Sequence, residues 1–131
     1  MILIACSQSK LKAAAPAREL YTGQAFRLAR QLAEQNGRDY LILSALHGLV
    51  DPAQQLDPYE LFLGSAGKAY RTSWAAKVNH QLAELGIVRA VALAGSTYCE
   101  GLNIELERPL KGLGIGRQLG FLSAALKAGT F

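Results

Sequence analysis

The sequence predicts one α/β domain, a three-layer α/β/α sandwich in which helices cover both faces of a small, mainly parallel sheet. Three short runs, residues 2–6, 40–45 and 88–94, are almost uniformly apolar, which is typical of strands buried on both faces of a parallel sheet. Longer amphipathic segments separate these runs, and this alternation favours right-handed crossover connections. The length of 131 residues fits a single domain, residues 1–131, with one core.

The first half of the chain divides into two strands, one helix and two loops. A polar loop is predicted to follow the first strand as far as residue 20. Apolar residues then recur at helical spacing from residue 22 or 23, and Asn36-Gly37 is a typical helix end. After the second strand, the prolines and aspartates of residues 47–64 predict a long loop.

The second half continues the alternation of helix and strand. Trp74, Val78 and Leu82 lie on one face of a predicted helix over residues 65–85, which Gly86 ends. The remaining predicted elements are the third strand at 88–94, a short helix at 97–102, an edge strand at 104–108 and a last helix at 115–126. We expect the first strand to be central, with the second and third beside it.

Composition and charge exclude several classes of protein. The net charge of +4 and the pI near 9.3 favour a surface that weakly attracts nucleic acid, nucleotides or anionic lipid. The cysteines, Cys6 and Cys99, lack metal-ligand spacing, so we expect no metal, no cofactor and no disulfide framework. No apolar run approaches ~18 residues and no basic leader precedes the first strand, so we expect a cytoplasmic protein without a membrane span.

Polar side chains follow each predicted strand. Ligands of parallel sheets bind beyond the carboxyl ends of the strands, where neighbouring loops converge. We therefore expect these polar residues to line one site. They are Cys6, Ser7, Ser9 and Lys10 at and after the end of the first strand, Ser44 and His47 at and after the end of the second, and Ser96 and Tyr98 after the third, where Gly95 supplies the turn.

The stretch ILSALHGLVDP holds the strongest candidates for catalysis. His47 can carry a proton near neutral pH, and Asp51 can orient water or stabilise a cationic sugar-like transition state. Ser7 and Ser44 can hold the attacking water. Each residue also has a structural interpretation, since a histidine is often a hydrogen-bonded loop residue and an aspartate before proline often caps a turn.

Other residues near the strand ends are candidates for binding. Lys10, Arg18 and Arg117 can contact phosphate, the last of them at the start of a helix. Tyr21, Tyr59 and Tyr98 can stack on a base, although half-buried tyrosines are common at the roots of loops. Cys6 is either a core residue or a nucleophile that pairs with His47.

Taken together, these segments resemble a known family. The segments are ACSQSKL, PARELYTGQAFRLAR, ILSALHGLVDP, LDPY, Trp74, LAGSTY and PLKGLGIGRQLGFL. Their order resembles that of a family of small bacterial and phage domains of unknown function, related to YaaA-type proteins. The resemblance implies a uracil-DNA-glycosylase-like fold with a nucleic-acid or nucleobase site at the strand ends. The two loop motifs typical of uracil-DNA glycosylases are absent from the sequence.

Three functions follow as hypotheses. The first is an enzyme that cleaves an N-glycosidic bond in DNA, in single-stranded, distorted or modified form, or in a free nucleoside or nucleotide. The second is a DNA- or nucleotide-binding module without chemistry, whose affinity falls steeply with salt. The third is a hydrolase that uses Cys6 with His47.

Overall fold

The computed structural model describes residues 1–130. The elements are, in chain order, β1 (Ile2–Ala5), β2 (Ala15–Pro16), α1 (Ala17–Leu20), α2 (Gln24–Gln35), β3 (Tyr40–Ser44), β4 (Gly48–Val50), β5 (Gln55–Leu56), a 3-10 turn (Leu63–Ser65), α3 (Lys68–Glu84), β6 (Arg89–Leu93), α4 (Ser96–Cys99), β7 (Glu105–Glu107) and α5 (Ile115–Ala128). The chain is thus a mixed α/β domain, and the three strands predicted from uniformly apolar runs are all present.

The main sheet has five strands in the order β4-β3-β1-β6-β7. All neighbouring strands are parallel except β3 and β4. Ile4 of β1 pairs with Ile42 on one side and with Leu93 on the other. The predicted central position of the first strand, with the second and third strands beside it, is confirmed.

Two apolar cores form because successive side chains of a strand point to opposite faces. On one face, Ile4 packs with residues of α2 and α5, among them Leu32 and Leu122. On the other face, Leu3 packs with Trp74 and other residues of α3. Helices therefore cover both faces of the sheet, which explains why the strands are apolar at nearly every position.

The predicted loop over residues 47–64 is corrected by the structure. The chain turns sharply after β3, and β4 runs back antiparallel to it, with Ser44 opposite Gly48. Gly48 has a φ of +75°, a left-handed conformation that favours glycine in this tight turn. A strand of three residues is too short to show the alternation of apolar and polar residues that predicts a strand, so its sequence cannot be distinguished from that of a loop.

The predicted polar loop before residue 20 also contains regular structure. Ala15 of β2 pairs with Leu56 of β5 in a separate two-stranded sheet, and α1 follows directly. The backbone amide of Arg18 donates to the carbonyl of Pro52 and so joins the two segments. Ala15, Leu20 and Leu56 of these elements pack in the same core as Tyr21.

Candidate functional site

The strand order creates a topological switch point between β1 and β6. From β1 the chain crosses through α2 to β3 on one side, and it later crosses through α3 to β6 on the other side. Connections that leave in opposite directions open a crevice at the carboxyl ends of the two strands, where open α/β sheets bind ligands. A ligand site is therefore expected in the crevice between β1 and β6.

A cavity of about 450 Å³ lies at this crevice, and we call it the switch-point pocket. Its volume is in the range of small-molecule sites. Apolar walls come from α2, α5, the end of β6 and the segment before the 3-10 turn; they include Phe26, Phe62, Leu93, Leu119 and Leu122. The polar part of the lining comes from the loop after β1, residues 6–9, from the β6–α4 junction, and from Gln24 and Gln118.

The amino ends of two long helices border the pocket. Gly23 precedes α2 and Gly114 precedes α5, and neither helix has a side-chain cap at that end. The first-turn amides of an uncapped helix are available to an anion, and the helix dipole favours negative charge there. Gln24 and Ile115, the first residues of these helices, are part of the lining.

Ser7 fixes the loop after β1 against the start of α2. Its hydroxyl donates to the carbonyl of Ser9 at 2.7 Å and accepts from the backbone amide of Gly23 at 3.0 Å. A Cβ at Gly23 would lie 2.5 Å from the Cβ of Ser7, so only glycine permits this approach. Ser7 therefore shapes the pocket, and the only proton of its hydroxyl is committed to the carbonyl of Ser9.

A hydroxyl–thiol cluster, formed by Cys6, Tyr21, Ser44, Tyr59 and Tyr98, lies beneath the strand ends. The Tyr21 hydroxyl donates to Ser44 Oγ at 3.1 Å, and the Tyr59 hydroxyl lies 2.7 Å from Ser44 Oγ and 2.8 Å from the Tyr21 hydroxyl. Each hydroxyl carries one proton, so a closed ring from Tyr21 to Ser44 to Tyr59 satisfies all three.

Cys6 joins this cluster to the switch-point pocket. Its sulfur accepts from the backbone amide of Ala45 at 3.4 Å and lies 3.4 Å from the Tyr98 hydroxyl. The Tyr98 ring meets the Trp74 ring edge-on at 5.6 Å, and the Trp74 indole donates to the carbonyl of Ser44 at 2.8 Å. Cys6 and Tyr98 both line the pocket, and these contacts hold them in place.

The tyrosines of the cluster remain protonated at neutral pH. Burial raises the pKa of Tyr21, Tyr59 and Tyr98 above the ordinary value, because desolvation disfavours phenolate. They are therefore hydrogen-bonding groups and are not general bases.

Lys10 lies over the cluster. Its ammonium is 4.3 Å from the centre of the Tyr59 ring and donates to the carbonyl of Gln8 at 3.0 Å. Burial lowers the pKa of Lys10. A lysine over an aromatic face is an established stabilising contact, which gives Lys10 a structural role whether or not it also meets a ligand.

His47 and Asp51 lie apart from the switch-point pocket. His47 is in the β3–β4 turn, where its amide donates to Ser44 Oγ at 3.1 Å and its ring meets Tyr59 edge-on at 5.6 Å. Burial, followed by the charge of Lys77, lowers the pKa of His47. Asp51 follows β4, which runs away from the strand ends, and its carboxylate accepts from the amide of Ala53 at 2.8 Å.

The structure thus does not bring Asp51 together with Ser44. Gly48 pairs with Ser44, and Leu49 and Val50 separate it from Asp51, so that three steps of extended chain span about 10 Å. The sequence interpretation placed Ser44 at the end of the second strand and Asp51 in the loop after it, and expected both at one site, whereas the antiparallel return of β4 carries the carboxylate toward the opposite end of the sheet.

Some of the other predicted binding residues line the switch-point pocket, and others lie elsewhere. Gly95, Ser9 and Tyr98 line the pocket together with Cys6 and Ser7. Arg18 lies near Tyr40, the first residue of β3, and so toward the opposite end of the sheet. Ser96 accepts a hydrogen bond from Arg108 at 2.9 Å, and Arg117 is exposed in the first turn of α5 outside the pocket lining.

Sequence reasoning missed the apolar walls. Phe62, 47% exposed, stands at the pocket and lies in the segment predicted as loop. Leu119 and Leu122 belong to α5, whose apolar positions predict only a buried face. An aromatic residue in a long loop was the one available signal for Phe62, since no local pattern shows which helix closes a pocket.

Two negative findings apply to residues 1–130. Within that range no group of three or more His, Cys, Asp or Glu side chains is placed to hold a metal ion. Within the same range no helix combines the length and the apolar character needed to cross a membrane.

Fold and site together define an α/β protein with a ligand-sized pocket at the switch point of a mostly parallel sheet. More specifically, the chain belongs to a family of unknown function, DUF6884, whose sequence model matches residues 1–124. No curated protein matches the chain significantly. The matched range includes the hydroxyl–thiol cluster and every residue that lines the switch-point pocket.

Proposed function

We propose that the protein binds a nucleotide in the switch-point pocket, either free or as an unpaired nucleotide of DNA. The observation that carries this proposal is the combination of apolar walls with two uncapped helix ends in one cavity of about 450 Å³. A base has an apolar face that suits such walls, and a phosphate suits free helix amides. A net charge of +4 favours the same kind of anionic ligand.

In this proposal the base lies between the α2 and α5 walls, and Phe62 stacks on it at the entrance. Phe26 and Leu122 are buried and form the fixed part of the wall, whereas Phe62 is partly exposed and available for stacking. The phosphate lies at the start of α2 or α5. The Gln118 side chain, whose amide donates to the carbonyl of Leu113 at 3.0 Å, is a candidate to contact the base edge with its oxygen.

Binding is supported better than N-glycosidic cleavage. Stabilising an oxocarbenium-like transition state usually requires a carboxylate pair, and the pocket lining contains no Asp, Glu or His among the described residues. Asp51 and His47 lie outside the lining, and so a Cys6–His47 hydrolase would lack its histidine there. Base cleavage and cysteine chemistry therefore rank below binding, and the experiment below tests both.

The uracil-DNA-glycosylase-like fold and the cytoplasmic location belong to the same proposal. The first rests on the sequence resemblance and agrees with a central β1 whose carboxyl end faces the ligand. The second agrees with two cysteines that are both free thiols.

A pocket-filling variant tests the proposal. Gly95 lines the pocket with ordinary extended dihedral angles, and a Cβ there meets nothing within 4 Å, so Gly95→Leu is chosen to place a side chain in the pocket. Gly120→Leu is the matched control, because Gly120 also has open space and lies outside the lining. We expect Gly95→Leu to weaken binding of nucleoside monophosphates at least tenfold in calorimetry, while Gly120→Leu binds like the wild type.

Two results would contradict the proposal. One is wild-type protein that binds neither nucleoside monophosphates nor short oligonucleotides at millimolar concentration. The other is equal affinity in Gly95→Leu and wild type. Chromatography of the same mixtures for released base tests cleavage: base release that persists in Cys6→Ser but disappears in His47→Ala or Asp51→Ala would restore the glycosidase hypothesis, and release lost in Cys6→Ser would indicate cysteine chemistry.

A further inference from the structure

A second cavity adjoins the switch-point pocket. This cavity, about 830 Å³ and here called the polar groove, lies between the first half of α3 and the segment that contains α4. Its lining includes Gly64, Lys68, Arg71, Asn79, Thr97 and Glu100. Gly64 and Thr97 line both cavities, so the two lie side by side.

The two cavities differ in the charge of their lining residues. The described lining of the switch-point pocket has no charged residue, whereas the polar groove has Lys68 and Arg71 on one side and Glu100 on the other. Both cations belong to the first turn of α3, whose amino end also lacks a side-chain cap. The positive end of the helix dipole adds to their charge. Groups that can bind an anion therefore lie in the polar groove, next to the apolar walls of the switch-point pocket.

Arg71 is positioned at this junction. Its guanidinium donates to the carbonyl of Gly64 at 3.3 Å, so its charged group is held beside a residue shared by the two cavities. Asn79 fixes the far wall, since its side chain donates to the carbonyl of Gly101 at 3.0 Å and accepts from the amide of Asn103 at 2.8 Å. Hydrogen bonds thus fix both sides of the groove, and the Arg71 guanidinium lies at its border with the pocket.

We propose that the ligand is single-stranded nucleic acid and that the polar groove holds the nucleotide next to the one in the pocket, with its phosphate on Lys68 and Arg71. This inference rests on the proposed function and names the substrate class of that site. A lone nucleotide uses the pocket and leaves the groove empty, whereas a phosphodiester-linked neighbour uses both. A single strand is favoured because an unpaired base enters the pocket without the unstacking and unpairing energy, a few kcal/mol, that a duplex requires.

The test compares a nucleoside monophosphate with a pentamer of the same base, as DNA and as RNA, in fluorescence and calorimetric titrations at two salt concentrations. We expect the pentamer to bind at least tenfold more tightly than the monophosphate. The variant Lys68→Gln/Arg71→Gln should lose this gain and keep the monophosphate affinity. Its slope of log K against log salt should be shallower by about 0.7 for each phosphate contact removed.

The control variant is Lys111→Gln/Lys127→Gln, which makes the same change in net charge outside the lining of both cavities. It should retain the pentamer gain. Tight binding of either the DNA or the RNA pentamer agrees with the proposal, and the pentamer that binds more tightly shows whether the ligand is DNA or RNA. The inference is overturned if the pentamer binds no more tightly than the monophosphate, if Lys68→Gln/Arg71→Gln keeps the gain, or if a duplex binds as tightly as the single strand. In each of these cases, persistent monophosphate binding leaves the proposed function intact.

Discussion

Replacing Ser44 by alanine should destabilise the domain without changing its surface. Ser44 is completely buried at the carboxyl end of β3. Its hydroxyl accepts from the amide of His47 at 3.1 Å and from the Tyr21 hydroxyl at 3.1 Å, and it lies 2.7 Å from the Tyr59 hydroxyl. Ser44→Ala removes all three contacts and leaves the His47 amide without its acceptor.

The expected loss follows from these contacts. A typical internal hydrogen bond contributes about 1 kcal/mol net, and a buried donor left without a partner costs about 1–3 kcal/mol. Tyr21 and Tyr59 remain hydrogen-bonded to each other at 2.8 Å, which limits the damage. We therefore expect Ser44→Ala to lower the free energy of unfolding by about 2–4 kcal/mol, a large part of the ~5–15 kcal/mol of an ordinary domain.

Urea denaturation followed by circular dichroism measures this loss. The control is Ser73→Ala, since Ser73 is exposed within α3, and its free energy of unfolding should change by less than about 0.5 kcal/mol. A double-mutant cycle with Tyr59→Phe should give a coupling of about 1 kcal/mol or more, because the two hydroxyls belong to one network. Additive effects of Ser44→Ala and Tyr59→Phe, or a loss below about 0.5 kcal/mol in Ser44→Ala, would refute the hydrogen-bonded ring.

Three further predictions concern other parts of the molecule. Gly120→Ala should stabilise α5 by about 1 kcal/mol and raise Tm by a few degrees in calorimetry, because the Cβ meets open space in a helix interior. Gly48→Ala should lower the urea midpoint, because Gly48 has a φ of +75° and an added Cβ would lie 2.5 Å from Gln81 Oε1; an unchanged midpoint would contradict the tight turn between β3 and β4. Burial and the charge of Lys77 lower the pKa of His47 in the folded protein below its ordinary value of 6.5. The contribution of His47 to stability is therefore complete above about pH 6.5, and it is lost as the pH falls through the pKa of the folded state. Urea midpoints at about pH 7.5 and about pH 5.5 should therefore differ less in His47→Gln than in the wild type.

The fold was predictable where a segment was long enough to show its period. The apolar runs of β1, β3 and β6 and the apolar faces of α2 and α3 follow from a single physical cause, burial of one or both faces. β4 escaped prediction because three residues show no period and because apolar residues flank its turn. Its direction depends on pairing with β3, which is a tertiary contact and not a local property.

The residues of the candidate site that follow strands directly could be predicted from the sequence. Cys6, Ser7 and Gly95 line the switch-point pocket because they closely follow β1 and β6, the strands that meet there. Leu119 could not be assigned to that wall from sequence, because its position depends on how α5 packs against α2. Asp51 was grouped with Ser44 on sequence distance alone, and the return of β4 separates them.

The central position of β1 has a consequence for synthesis on the ribosome. Ile2 pairs with Tyr40 on one side but with Val91 on the other, so one edge of β1 stays unpaired until about ninety further residues are made. At roughly 5–20 residues per second this wait lasts about 5–18 s. Throughout it, a nascent chain exposes an apolar strand edge, the kind of surface on which chains aggregate. Chaperones that shield such surfaces are therefore expected to raise the yield of folded protein without changing the stability of the folded domain.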